Sequence, residues 1–253
     1  MAQAQPGPPD SASVHHRRNV ILGSLPDDEL ARLAPSLEPV LLPRPSELDA
    51  PDTEIQSVYF PTSGLASIVA IGEEGEAVDT TMIGREGMTG LAVFLGTDQM
   101  PVRTIVQVTL AAFRLPANVL RAELERGGQL VNLLQRYTQV AMVSMAQLIL
   151  CNRSHRLDQR AARWLLQVDE RVDEAPFDVT QEFLAQMIGV QRPSLSLAVQ
   201  QFRDEGLITY SRGRVAVADR ERLLARACGC IKIIHAEEAR LRATTERYDI
   251  GAS

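Results

Sequence analysis

The spacing of apolar positions changes character several times along the chain. Between Asp27 and Leu37, Leu30, Leu33 and Leu37 share one helical face while acids fill the first turn, which predicts an amphipathic helix. From residue 38 the pattern breaks into short apolar runs, Ser57–Phe60, Leu65–Ile71, Ala77–Ile83, Thr104–Thr109 and Ala112–Leu115. Pro-Thr-Ser-Gly, Gly-Glu-Glu-Gly and Gly-Arg-Glu-Gly separate them, and such clusters form turns. Many short strands with glycine punctuation predict a β-barrel or sandwich-like roll of about 80 residues. After Pro116 helical spacing returns as a short helix and then a long one over 129–153. Leu130, Leu133, Leu134, Tyr137, Val140, Ala141, Ser144, Leu148 and Cys151 recur there every three or four residues, an apolar stripe roughly 35 Å long. That stripe needs a partner, either the chain's own roll or the same helix of a second subunit. The expectation is a dimer interface of Leu130, Leu134, Tyr137, Val140, Ala141, Ser144, Leu148 and Cys151.

Beyond Ser154, Leu157, Ala161, Trp164, Leu165 and Val168 lie at helical spacing and predict a core-forming helix. The stretch from Asp178 to Ile208 has the pattern of a helix-turn-helix. Thr180 caps a first helix and Glu182 suits its positive end, with Leu184, Met187 and Ile188 turned inward. Ala185 is small where helices approach, Gly189 supplies a left-handed turn, and Val190 plugs the angle. In the second helix Leu195, Ala198, Val199 and Phe202 face the core. Gln191, Arg192, Ser194, Ser196, Gln200 and Gln201 are left facing out, with side chains of the kind that read base edges and phosphates. Ile208, Tyr210, Val215 and Val217 flank Ser211-Arg-Gly-Arg214, a hairpin wing whose Arg212 and Arg214 would reach phosphate. The expected DNA-binding set is Thr180, Gln181, Gln191, Arg192, Ser194, Ser196, Gln200, Arg212 and Arg214.

Composition changes this picture little. At 253 residues and 45% hydrophobic content the chain can bury two cores, and a net charge of −6 leaves room for a local basic face. Of the 26 basic side chains only Lys232 is a lysine, a skew typical of GC-rich coding and not of function. Residues 1–14, rich in Pro, Gly, Ser and Gln, read as a disordered tail. The paired His15 and His16 that follow read as the start of a helix and not as a metal site. Three cysteines and no apolar leader indicate a cytoplasmic protein without a disulfide framework, and no apolar run approaches the roughly 20 residues of a membrane span. Cys228-x-Cys230 offers two metal ligands at most, so packing in a C-terminal helix with Leu223, Leu224, Ala227, Ile231 and Ile234 is the expectation, and no metal is assigned. No nucleophile–base pair or phosphate-cradling loop is present, which argues against an enzyme.

Over almost its whole length the chain resembles the Crp/Fnr family of bacterial transcription regulators. The resemblance rests on Tyr59-Phe-Pro-Thr-Ser-Gly, Gly84-Arg-Glu-Gly with Gly90 and Leu95-Gly96, Asn152-Arg-x-His with Gln159-Arg160, and Thr180-Gln-Glu-Phe-Leu-Ala-Gln-Met-Ile-Gly. It implies an α+β fold with an antiparallel, cyclic-nucleotide-binding-like β-roll over 15–128 and a dimerisation helix over 129–153. A winged helix-turn-helix over 154–222 and a C-terminal helix and tail over 223–253 complete the expected domains. It further implies a homodimer on a double-stranded promoter operator, with RNA polymerase as a partner. Arg192 falls where the family commonly has a DNA-contacting arginine, whereas Pro193 and Leu197 replace readers that are often acidic and basic, which implies a different operator. The implied effector site draws on Gly84, Glu86, Gly90, Arg103 and Thr104. There Leu91 stands where the family's cyclic-nucleotide binders place a carboxylate, and Arg103-Thr104 is displaced by about one residue. The expected effector is therefore unknown and not cyclic AMP, and no cofactor is identified. A second reading is a dimeric ligand-binding or protein-interaction module whose winged helix contacts a protein.

Overall fold

The computed structural model describes residues 16–73, 77–173 and 175–249, with side chains as far as residue 243. The expected tail and His15 lie outside them. His16 opens a 3-10 turn and is buried against Phe113, with ring centroids 4.3 Å apart. Asn19 then caps α1 (Val20–Gly23): its side-chain oxygen accepts from the Ile21 and Leu22 amides, and its amide nitrogen donates to Pro61 O and Gly87 O. Helix α2 (Asp27–Leu33) ends earlier than the periodicity predicts, because Pro35 converts the continuation into a 3-10 turn.

One antiparallel sheet forms the roll. Strand β1 (Glu38–Leu42) pairs with β5 (Arg103–Pro116), which pairs with β3 (Ser57–Ile71), and β4 (Ala77–Ile83) lies outside β3; β2 (Glu47–Asp49) also joins β5. Two expected strand breaks are absent. Pro61-Thr-Ser-Gly is not a turn: β3 runs straight through it, with register shifts between Pro61 and Leu65. Bulges admit a proline and a glycine into a strand and bend it without reversing it. Residues 110–111 likewise continue β5. Gly84-Arg-Glu-Gly is a true turn leading towards α3 (Leu91–Phe94).

Helix α4 (Ala117–Arg126) leads into α5 (Gln129–Ser154), the long helix expected from the stripe. Its buried face overturns the dimer assignment. Leu130, Leu134, Tyr137 and Val140 are buried in the roll's own core, with Phe60, Leu115 and Leu120. Ala141 and Cys151 are also buried within one chain, while Ser144 and Leu148 are half-buried beside Ile234. The cover is the C-terminal helix α10 (Cys230–Asp249), which returns antiparallel along α5, with Cys230 near its end and Glu237 bonded to Gln139. The eight residues therefore offer a second subunit little surface. What α5 leaves uncovered is another apolar strip, Met142 (65% exposed), Ala146, Ile149 (73%) and Leu150 (48%).

Helix α6 (Leu157–Asp169), α7 (Gln181–Ile188), α8 (Arg192–Asp204) and the sheet β6 (Phe177–Asp178), β8 (Arg214–Val217), β7 (Ile208–Ser211) form the last unit around Trp164, Leu195 and Phe202. The expected single helix beyond the wing is two: α9 (Arg220–Arg226) and α10, parted at Ala227–Gly229. The unit does not hang free. Leu65 and Val108 of the roll share its core, Gln107 Nε2 lies 3.0 Å from Met187 Sδ, and the Arg44 guanidinium sits 4.1 Å over the Phe183 ring.

Arg171, just past α6, fastens three parts together. Its buried guanidinium reaches Glu86 of the roll at 2.9 Å and Glu238 of α10 at 2.6 Å, and its carbonyl accepts from the Gly64 amide. Burial works against the charge, and the two carboxylates outweigh it, so the guanidinium is held protonated. Gly84 and Gly87 are dictated by this joint: a Cβ on Gly84 would stand 2.6 Å from the Arg171 side chain, and one on Gly87 2.1 Å from the Tyr137 ring. Replacing Arg171 by leucine strands two buried carboxylates. Arg171→Leu is expected to lower the unfolding free energy by about 3–5 kcal/mol in urea titrations.

Candidate DNA-binding surface and sensory roll

The helix-turn-helix is built by local bonding. Thr180 Oγ1 accepts from the Phe183 amide and starts α7. At the other end Gly189 is left-handed (φ 70°), and its amide and that of Val190 return to Gln186 O and Ala185 O, a Schellman closure that ends α7 and turns the chain into α8. Pro193 sits in the first turn of α8 without breaking it.

The proposed DNA contacts do not stand alike. Gln191, Arg192, Ser194 and Gln200 are exposed on α8, as is Leu197, at 76% the most exposed large apolar side chain of the unit. Arg192 is held loosely by Glu182 at 3.7 Å, and Gln200 bonds Asp204 one turn on. Ser196 is half-buried, and its hydroxyl donates to Gln181 Oε1 at 2.7 Å, tying α8 to α7, with Arg192 O as an alternative acceptor at 3.0 Å. Arg212 and Gly213 form a two-residue hairpin turn with φ 51° and 78°, which carries Arg212 to the wing tip. Arg214 turns back to Pro176 O and lies 3.5 Å from Asp178. The exposed side chains of this face thus include Gln191, Arg192, Ser194, Leu197 and Gln200, with Arg212 at the wing tip.

The expected effector residues do not converge. Glu86 is buried, bonded to the Gly84 amide and paired with Arg171. Gly90 and Thr104 line a small space near Asp49 and Ile55, and Arg103 lies on the surface, 2.5 Å from Glu47. Where the roll meets α5, α6 and α10 an enclosed cavity of about 30 Å³ is lined by Asp79, Glu86, Tyr137, Ser144, Arg163, Arg171 and Glu238 among others, and a more open one of about 510 Å³ by Arg85, Glu86, Glu170, Arg171, Arg220, His235 and Glu238 among others. Small-molecule sites usually have roughly 300–1,000 Å³. Desolvation pushes the Asp79 carboxyl up to about 6, against the pull of Arg163 and Gln107.

Sequence reasoning missed the uncovered strip of α5, because a half-buried helix shows the same periodicity whichever face meets the core. It also missed the meeting of Cys151 and His155 with Cys228 and Cys230, which lie 77 residues away along the chain in the case of the Cys151–Cys228 contact. The residues behind the family resemblance near the α5–α6 joint prove structural in part: Arg160 donates to Asn152 Oδ1 and to Ile188 O at the end of α7.

A capped helix pair, an exposed polar second helix and a hairpin wing define a winged-helix DNA-binding protein, here joined to a β-roll. Residues 159–226 match the Crp-like helix-turn-helix domain. The CRP-like cAMP-activated global transcriptional regulator of Mycobacterium tuberculosis is 28% identical over 211 residues, covering 78% of this chain and 92% of that protein. Among solved structures, FixK2 from Bradyrhizobium japonicum superposes with a TM-score of 0.65 at 14% identity, covering 76% of this chain and 98% of its own. A putative Crp/Fnr-family regulator from Eubacterium rectale gives 0.62 at 17%, covering 81% and 96%. At those identities the structures speak for the fold alone. The chain is a DNA-binding transcription regulator that carries a Crp-like helix-turn-helix domain, and among the described residues no helix is long and apolar enough to cross a membrane.

The raised Asp79 carboxyl has a measurable consequence. The unfolded chain releases this proton near 3.8 and the folded chain near 6, so between those values the folded state holds the extra proton. Its stability is fullest below about pH 4 and declines as pH rises to about 6. Asp79→Asn is expected to remove that decline, on the order of 2–3 kcal/mol, in urea midpoints measured across pH 4–7.

Proposed function

We propose that the chain acts in the cytoplasm as a homodimer on a promoter operator, placing α8 of each subunit in successive major grooves. The observation that carries this is the exposed face Gln191, Arg192, Ser194, Leu197 and Gln200 beside the Arg212 wing tip. Arg192 offers a bidentate donor to guanine, and Leu197 an apolar surface suited to a thymine methyl group. Arg212 supplies a phosphate contact. Thr180 and Gln181 serve at the start of α7, where amides and side chains meet the backbone. Dimerisation runs through Met142, Ala146, Ile149 and Leu150, the apolar strip that α10 leaves uncovered. A two-fold pairing there sets two recognition helices about one helical turn of DNA apart. The proposed domains are the roll to residue 128, the long helix over 129–153, the winged helix over 154–222, and a C-terminal segment whose helix α10 is part of the core. RNA polymerase is the partner expected at the promoter, and no catalytic role is assigned.

The effector is one other than cyclic AMP. The Mycobacterium relative is named for activation by cAMP, but here Leu91 follows Gly90, Glu86 is committed to Arg171, and the enclosed cavity between roll and long helix measures only about 30 Å³. Calorimetric titration with cyclic mononucleotides is expected to show no micromolar binding.

Three measurements test the DNA-binding reading. Arg192→Ala should weaken operator binding by about 1–3 kcal/mol in mobility-shift titrations while leaving affinity for scrambled DNA unchanged. Arg212→Ala should weaken both alike and reduce the slope of log K against log salt by about 1. Ile149→Glu should convert dimer to monomer in sedimentation velocity and, with it, lower operator affinity; an unchanged sedimentation coefficient would remove this face from the interface.

A further inference from the structure

The last turn of α5 and the start of α10 bring together all three cysteines of the chain and one of its four histidines. Cys151 Sγ lies 3.4 Å from Cys228 Sγ, Cys230 Sγ lies 3.6 Å from His155 Nδ1, and the four donor atoms all fall within 4.8 Å of one another. The three cysteines form a cluster of their own, fully buried, with no aliphatic core residue among them. A separation of 3.4 Å is far too long for a sulfur–sulfur bond of about 2.05 Å. It is close to the edge of a tetrahedron around a metal ion, since two thiolates at about 2.3 Å from one zinc stand roughly 3.8 Å apart. Cys151 and His155 are four residues apart and so share a face at the end of α5, and Cys228 and Cys230 bracket the turn into α10.

From this geometry we propose that Cys151, His155, Cys228 and Cys230 form a closed Cys3His site for one thiophilic divalent cation, zinc. Four donors converging on one point suit a single ion, whereas an iron–sulfur cluster spreads its ligands over several iron atoms. Charge supports the same conclusion. Three thiolates, a neutral imidazole and a divalent ion carry one net negative charge, and two buried arginines of α6, Arg160 and Arg163, lie beside Cys151 with their Nε atoms unpartnered among the described residues. Binding releases the thiol protons to solvent and involves no electron transfer. Its effect is to staple the end of the long helix to the start of α10, at the joint from which Arg160 reaches the last carbonyl of α7.

The test uses the full-length protein, purified without chelator under reducing conditions. Elemental analysis should find close to one zinc per chain, and the three thiols should react slowly with a thiol reagent until the metal is removed. Cobalt(II) added to the metal-free protein should give the intense visible bands of tetrahedral coordination with near-ultraviolet thiolate charge transfer. Cys228→Ser should lower cobalt affinity by at least about tenfold. His155→Cys should keep a tetrahedral spectrum shifted towards four-sulfur ligation, which decides the matter even if a serine variant fails to fold. Protein that carries no zinc and gives no tetrahedral cobalt spectrum would overturn the proposal. So would a Cys151–Cys228 disulfide in the reduced preparation, or a brown iron–sulfur chromophore on anaerobic purification.

Discussion

The buried guanidinium of Arg171 is the constraint on which the arrangement of this molecule depends. Arg171 lies at the boundary of three parts that could otherwise move apart: its guanidinium holds Glu86 of the roll and Glu238 of the C-terminal helix, its backbone carbonyl accepts from the Gly64 amide of the roll, and it stands just after α6 of the DNA-binding unit. A buried cation is costly unless its partners are well placed, so the geometry around it is exacting. That requirement reaches back into the sequence. Gly84 is a glycine because the Arg171 stem occupies the room of a Cβ, and Glu86 is held by both the Gly84 amide and the guanidinium. The Gly-Arg-Glu-Gly turn, which resembles part of a ligand site in sequence, serves here as the socket of an internal joint.

The DNA-binding unit is also packed directly against the roll and the long helix. Helix α7 rests on the roll through Met187 and Phe183, and its last carbonyl is tied to the α5–α6 corner by Arg160. The recognition helix α8 is fixed to α7 by Gly189, Val190 and the Ser196–Gln181 bond. Packed and hydrogen-bonded contacts therefore run without a break from the α5–α6 corner through α7 to α8.

The sequence alone disclosed what depends on local chemistry. The capping threonine, the left-handed glycine, the proline tolerated in a first helical turn and the Arg-Gly hairpin are read from a few adjacent residues, and the structure has each of them where its chemistry demands. The α+β organisation followed from changes in apolar period. Where local signals compete with long-range pairing the reading failed: Pro-Thr-Ser-Gly looks like a turn, yet β5 pairs with both sides of it and holds it as a bulge in one strand.

Burial partners belong to the tertiary structure, because an apolar stripe states that something covers it and not what. The apolar stripe from Leu130 to Cys151 on α5 is covered by the roll and by α10, and the apolar face left exposed is the less conspicuous strip at Met142, Ile149 and Leu150. Ser196 and Arg214 carry outward-pointing patterns but are engaged within the chain. Cys151, His155, Cys228 and Cys230 meet only because α10 runs back along α5. The sequence by itself determined the helix caps, the turn between α7 and α8 and the hairpin wing, since short-range sterics and hydrogen bonding set them. Which faces remain free and which side chains share a site was decided by the return of the chain on itself, as those contacts lie far apart in sequence.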